Sequence, residues 1–210
     1  MRERIEERRN AKDGSDGSFI SNLIARTPFI LSCALLYAGL IMPSYSSGMM
    51  FHLSMIPTEE LSHVALLMYK ILVSMTWFGF SVGALGDWNK TWVKASKGAD
   101  HLVTSGIFKF LRHPNYTGEV IGWGSSFLAS VVAVIAGIKE YGIASLSKET
   151  VVLKLALPLS LGLVGAIGIT FVLCAATFNL EKRQEEKYAD LEEYQTWIKT
   201  SWKGFSLGTK

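Results

Sequence analysis

The sequence predicts an all-α, multi-pass bundle of transmembrane helices within one domain, and three observations predict it. Hydrophobic residues make up 49% of the 210-residue chain and charged residues only 19%, against about 25% for an ordinary soluble domain. The mean hydropathy is +0.26. The charges are crowded into a few stretches, which leaves uncharged runs near the roughly 20 residues that cross about 30 Å of hydrocarbon. The same balance excludes a disordered chain, a fibre and a small disulfide scaffold. A net charge of +3, spread along the chain, does not suit a nucleic-acid binder. Cys33 and Cys174 lie in apolar runs with no Cys or His at metal-ligand spacing, so both read as small hydrophobes and no metal site is expected.

Residues 1–26 form a charged tail of mixed sign, which fits neither a secretory signal nor an acid-poor transit peptide. Residues 27–210 form a single membrane domain. Its first span is placed at 28–45, ending in the turn-forming run from Pro43 to Gly48; its short apolar stretch also suits a re-entrant or interfacial element. The second, 61–86, carries a single charge, Lys70, which can snorkel toward an interface. The third, 117–138, has Glu119 at its head. The fourth, 151–180, is uncharged from Leu155 onward and long enough to tilt. Gly162, Gly165 and Gly168 recur along one side of it, a spacing that lets a neighbouring helix approach closely. A cytosolic helix, 181–200, continues out of the membrane.

The basic residues set the orientation. With four spans, Arg2, Arg4, Arg8, Arg9, Lys12 and Arg26, the connection Lys90 to Arg112, and the tail from Lys182 fall on one side. Residues 44–60 carry no Lys or Arg, and the third connection has only Lys139, Lys148 and Lys154. Lys and Arg accumulate on cytosolic loops, so both termini and the central loop are expected in the cytosol.

Three polar clusters then meet at the cytosolic ends. The first is Arg112-His113-Pro114-Asn115-Tyr116-Thr117-Gly118-Glu119. Pro114 disfavours helix at His113 and suits a first helical turn, so a helix should start at this motif. Its unpaired N–H groups would face the boundary, where they suit phosphate or carboxylate, and Arg112 adds a bidentate donor. Tyr116, Glu119 and Trp123 share one face. The plainer alternative is a helix cap with interfacial aromatic anchors. The second cluster runs from Glu181 through Lys182, Arg183 and Gln184 to Tyr188, then Glu192 to Gln195; Glu181, Gln184 and Tyr188 share a face, and the run also reads as a solvated stop-transfer stretch. The third, Asp87-Trp88-Asn89-Lys90 with Lys94, places a carboxylate and a cation at the same level.

These residues resemble a known superfamily. Thr104-Ser105-Gly106-Ile107-Phe108, then Arg112 to Glu119, then Leu180-Glu181-Lys182-Arg183 with Lys187-Tyr188 and Glu193-Tyr194-Gln195, look like the carboxyl-terminal domain of the steroid 5-alpha-reductase-like membrane proteins, in their short, uncharacterised branch. The first two spans match in hydropathy only. Isoprenylcysteine carboxyl methyltransferases and phospholipid methyltransferases share the architecture and the Arg-His-Pro-x-Tyr-x-Gly core.

The resemblance therefore implies a cytosol-facing cofactor cavity and two chemistries. The first is an NADPH-dependent reductase of a carbon–carbon double bond in a sterol or other lipid drawn from the bilayer. The second is an S-adenosylmethionine-dependent methyltransferase, whose usual adjacent glutamates are here Leu180-Glu181. A non-catalytic lipid-binding scaffold is the third reading. By resemblance the cofactor residues are Asp87, Lys94, Arg112, His113, Asn115, Tyr116, Glu119, Trp123, Glu181, Arg183 and Tyr188. Asn115 suits an amide, the carboxylates ribose hydroxyls, and Arg112, Lys94 or Arg183 phosphates. The glutamate that the steroid reductases use in their earlier spans has no counterpart in the first two spans here. No catalytic residue is fixed; Tyr116, Glu119 and Tyr69 are the candidates, with Tyr37 a further tyrosine of the early spans. The resemblance points to the endoplasmic reticulum, with a plastid membrane also open.

Overall fold

A computed structural model describes residues 33–34, 36–48, 63–141, 147 and 149–207 of the chain. Helix α1 covers residues 36–48 and α2 His63–Lys97. A 3-10 turn, Gly106–Lys109, precedes α3 at Pro114–Tyr141. A π-helical stretch, Thr150–Ala156, leads into α4 at Leu157–Tyr188, and α5 is Glu192–Thr200. No strand forms among the described residues beyond a lone parallel bridge between Leu111 and Trp202. Three of the described helices are long and apolar enough to cross a membrane: His63–Lys97, Pro114–Lys139 and Val151–Tyr188. The expected first span, 28–45, lies partly outside the described residues, and its described portion is helical.

Two boundaries differ from the sequence reading. Helix α2 continues to Lys97 rather than ending near residue 86, because Asp87 to Lys97 contains no helix breaker. It stops at Gly98, whose φ of 98° is open to glycine, while Lys94 Nζ donates to the Ala99 carbonyl at 2.7 Å. The expected helix 181–200 is in fact two pieces. Helix α4 runs on to Tyr188, Leu191 is extended, and α5 begins at Glu192 with two glutamates on its positive N-terminal end. Tyr188 Oη donates to the Asp100 carbonyl at 2.8 Å, and Gln195 Nε2 donates to the Ala189 carbonyl at the helix end at 2.8 Å.

Backbone-to-backbone crossings of glycines hold the spans together. Gly79, Gly83 and Gly86 of α2 lie against Gly122, Gly118, Asn115 and Pro114 of α3. A Cβ on Gly79 would come within 2.5 Å of the Gly122 nitrogen, and one on Gly118 within 2.4 Å of the Gly79 carbonyl oxygen. The expected role of the glycines of α4 is met: Gly165 abuts Gly39 and Leu40 of α1, Gly162 abuts Pro43, and Gly168 abuts Leu36. In a bilayer, where lipid is as apolar as leucine, such close contact supplies the dispersion and packing that hydrophobic burial supplies in water. Accordingly the large apolar side chains of α2, including Ile71, Phe78 and Leu85, face outward.

A small core sits beyond the basic ends of α2 and α4. Val93, Leu102, Val103, Phe108, Tyr194 and Trp197 are buried together, and Trp197 Nε1 donates to the Phe108 carbonyl at 2.6 Å. This core clamps the loop between α2 and α3 under α5 and so fixes Arg112 and His113 at the head of α3.

Replacing Gly79 by Val is expected to destabilise the protein by about 1–3 kcal/mol or more, the usual cost of overpacking. Gly124→Ala is expected to be neutral or slightly stabilising, since a Cβ there meets nothing within 4 Å. Thermal unfolding of the two variants in detergent checks the contrast.

Candidate functional site

Helix α3 starts at Pro114, as the X-Pro restriction predicts, which leaves Arg112 and His113 just outside the helix. The chain there is pinned by the returning carboxyl-terminal segment: Arg112 N donates to Trp202 O at 2.8 Å and Trp202 N donates to Phe110 O at 2.9 Å. Arg112 and His113 are then buried, 8% and 1% exposed. Both turn to Glu181 on α4. Arg112 Nη2 lies 3.2 Å from Glu181 Oε2, and His113 Nε2 lies 2.6 Å from Glu181 Oε1. Arg112 Nη1 also donates to the Ile198 carbonyl of α5 at 3.2 Å. One carboxylate thus gathers an arginine and an imidazole, and the arginine ties three elements together.

A cavity of about 170 Å³ opens beside this cluster. Its lining carries Lys90, Lys94, Arg112, Arg183 and Lys187, the imidazoles of His101 and His113, and the amides of Asn115 and Gln184, and no Asp or Glu. Lys187 pairs with Asp100, which borders the site without lining it. That lysine holds the Asp100 carboxyl below the usual carboxylate range. Arg112 Nε and Gln184 Oε1 are buried and have no hydrogen-bond partner within the protein. Unsatisfied buried polar groups are uncommon in native structures, and here two of them border one cavity. On the other side of Arg112 lies a larger cavity of about 680 Å³, where Glu181, Glu185 and Glu186 face Lys182 and Lys203. Burial, and then Glu181 and Glu185, push the Tyr194 phenol beside it above its ordinary value of 10.0.

Six of the sequence-derived candidates line the basic cavity: Lys94, Arg112, His113, Asn115, Arg183 and Tyr188. Glu181 does not line it but holds two residues that do. Tyr116 stacks on His113, with ring centroids 6.2 Å apart, and packs with Trp123 on the core of α1 and α4. Asp87, Glu119 and Trp123 form a separate group on the α2–α3 seam, where Trp123 hydrogen-bonds Glu119 and Asp87 is the neighbouring charge. Tyr69 is not brought to the site: it lies on the continuous helix α2 about 27 Å from Asp87, at 1.5 Å per residue. Tyr37 faces outward. Sequence reasoning left Lys90, His101, Gln184 and Lys187 out of the site. The i, i+3, i+7 spacing of Glu181, Gln184 and Tyr188 was a signal for Gln184, whereas His101 sits in a loop that no periodicity marks. Among the described residues no group of three or more His, Cys, Asp or Glu is placed to hold a metal ion.

Glu181→Ala is expected to cost about 1–3 kcal/mol, since it strands a buried guanidinium, while Lys182→Ala on the exposed face is expected to stay within about 0.5 kcal/mol. Chemical denaturation in detergent measures both. A second expectation concerns alkaline pH. Because the folded Tyr194 phenol titrates above its unfolded value, the unfolded chain ionises first, so stability falls as pH rises past about 10. Tyr194→Phe should remove that part of the fall, read as a flatter melting-temperature profile between pH 9 and 11 (a range set by the ordinary tyrosine pKa of about 10).

The profile of a family described as "Protein of unknown function (DUF1295)" matches residues 7–160. The chain belongs to that family, one of the membrane superfamily that takes in both steroid 5-alpha-reductase-like and isoprenylcysteine carboxyl methyltransferase-like proteins. The match takes in the described parts of α1, helices α2 and α3 and the Arg112–Glu119 motif, and stops before Glu181. No curated protein and no solved structure matches the chain.

Proposed function

We propose that this member of the DUF1295 family is a membrane-embedded, NADPH-dependent reductase of a carbon–carbon double bond in a sterol or other lipid. The observation that carries the reading is the charge of the 170 Å³ cavity: five Lys or Arg side chains and no carboxylate line it. Such a lining attracts phosphate and repels a sulfonium cation. The volume lies below the usual range for a whole ligand, about 300–1,000 Å³, so the cavity suits the phosphate-bearing part of a dinucleotide, with the remainder outside it.

In this reading Lys90, Lys94 and Arg183 bind phosphate oxygens. Arg112 presents a guanidinium already oriented by Glu181 and by the Ile198 carbonyl, so little side-chain entropy is lost on binding. Asn115 offers an amide to a carboxamide or a hydroxyl, and Tyr188, fixed on the Asp100 carbonyl, closes the rim. NADPH, when bound, would supply the hydride, and the second carbon would take its proton from a tyrosine or from water. The orphaned Arg112 Nε and Gln184 Oε1 are a donor and an acceptor of the kind a polar coenzyme satisfies.

A second reading, an S-adenosylmethionine-dependent methyltransferase, is favoured by the 680 Å³ cavity on the far side of Arg112, where Glu181, Glu185 and Glu186 suit a cationic ligand. Melting temperature in detergent separates the two, since a ligand that binds the folded state raises it by mass action. NADPH is expected to raise it and S-adenosylmethionine to leave it unchanged, and Arg112→Ala and Asn115→Ala should each abolish the NADPH shift. A shift with S-adenosylmethionine alone supports the methyltransferase, and no shift with either supports a binding scaffold.

A further inference from the structure

A third cavity lies at bilayer depth in the half of the bundle away from the basic site. Its origin is the glycine crossing. Helices α2 and α3 touch backbone to backbone from Gly86 to Gly79, and beyond that contact a space of about 320 Å³ opens between them, bordered by the end of α1. Phe80 lines it at the end nearest the crossing, its ring edge-on to Trp123 at 4.9 Å. Trp77 also lines it and is 72% exposed, so the cavity communicates with the lipid-facing surface of α2.

The lining chemistry is selective. Five hydroxyl-bearing residues from three helices line the cavity, Ser44 and Ser47 of α1, Tyr69 and Thr76 of α2, and Ser126 of α3. None of the lining residues is charged. Hydroxyls can donate or accept, whereas a phosphate or ammonium group at this depth would meet no counter-charge and would be costly to bury. Thr76 Oγ1 donates to the Leu72 carbonyl at 2.9 Å, which leaves its oxygen able to accept a further hydrogen bond.

We propose that this cavity is a lipid site for a neutral amphiphile, whose hydroxyl or carbonyl oxygen is bound by the hydroxyls of Ser44, Ser47, Tyr69, Thr76 and Ser126 while its apolar body lies against Trp77 and Phe80. The site takes its ligand laterally from the bilayer. It is independent of which coenzyme, if any, the basic cavity holds. The chemistry fits the single hydroxyl of a sterol and that of a diacylglycerol alike.

The test uses the full chain in phosphatidylcholine nanodiscs without coenzyme. Two photoactivatable probes, a sterol and a diacylglycerol, are crosslinked in parallel and the adducts mapped by mass spectrometry. Saturable labelling of α2 and α3 around Thr76 and Ser126 is expected from at least one probe, and the probe that labels identifies the source. The same unlabelled lipid should compete about tenfold better than its analogue lacking the oxygen, the effect of roughly one hydrogen bond. The double variant Thr76→Val, Ser126→Ala keeps the shape of the cavity and should reduce that preference at least fivefold at an unchanged melting temperature. Because no coenzyme is present in the assay, failure here is separate from failure of the reductase reading. Equal competition by the oxygen-free analogue, a preference that survives the double variant, or no saturable labelling by either probe would overturn the proposal.

Discussion

Arg112 places a guanidinium, almost wholly buried, at the head of a membrane span. A guanidinium in that position needs a carboxylate within reach and acceptors for its other donors. Glu181 supplies the first and the Ile198 carbonyl one of the second, and both requirements shape the chain around them. Helix α4 has to bring Glu181 level with the start of α3. Helix α5 has to turn back after Tyr188 so that Ile198 lies over the arginine. The carboxyl-terminal segment has to return so that Trp202 pairs with Phe110 and Arg112. Taken alone, a buried ion pair contributes little net stability, because desolvation offsets its attraction. Its consequence here is geometric: one pair fixes the register of α3, α4 and α5 and leaves cationic side chains around a common cavity.

The membrane half obeys a different constraint. With no water to expel, α2 and α3, and likewise α1 and α4, associate where glycines let backbones meet. Close crossing at one level forces divergence at another, so the packing that secures the basic end also opens the hydroxyl-lined space farther along. The two cavities therefore differ in character for physical reasons. One lies among basic residues beyond the apolar spans and gathers Lys and Arg, while the other lies within the spans and carries only neutral polar groups.

Much of this was legible in the sequence. Uncharged runs located the described spans, Pro114 located the start of α3, and the spacing of Gly162, Gly165 and Gly168 announced a close helix contact that α1 fills. The glycines of α2 at 79, 83 and 86 carry the same signal. The break at residues 189–191 was not legible, because Ala189-Asp190-Leu191 contains neither Pro nor Gly; Asp100, Gln195 and the buried Trp197 impose it from a distance. For the same reason His101 escaped notice, since only folding of the loop onto the small core brings it to the cavity. The remoteness of Tyr69 from the basic end follows from the uninterrupted length of α2, which extends beyond the apolar run that marked its span.

The central claim is that the basic cavity grips a phosphate-bearing coenzyme. A fluorescence titration of NADPH against the protein in nanodiscs, repeated with inorganic pyrophosphate present, tests it most directly. Saturable binding is expected, displaced competitively by pyrophosphate and weakened as salt is raised, since the attraction is one of opposite charges. Absence of NADPH binding, or binding indifferent to both pyrophosphate and salt, would contradict it.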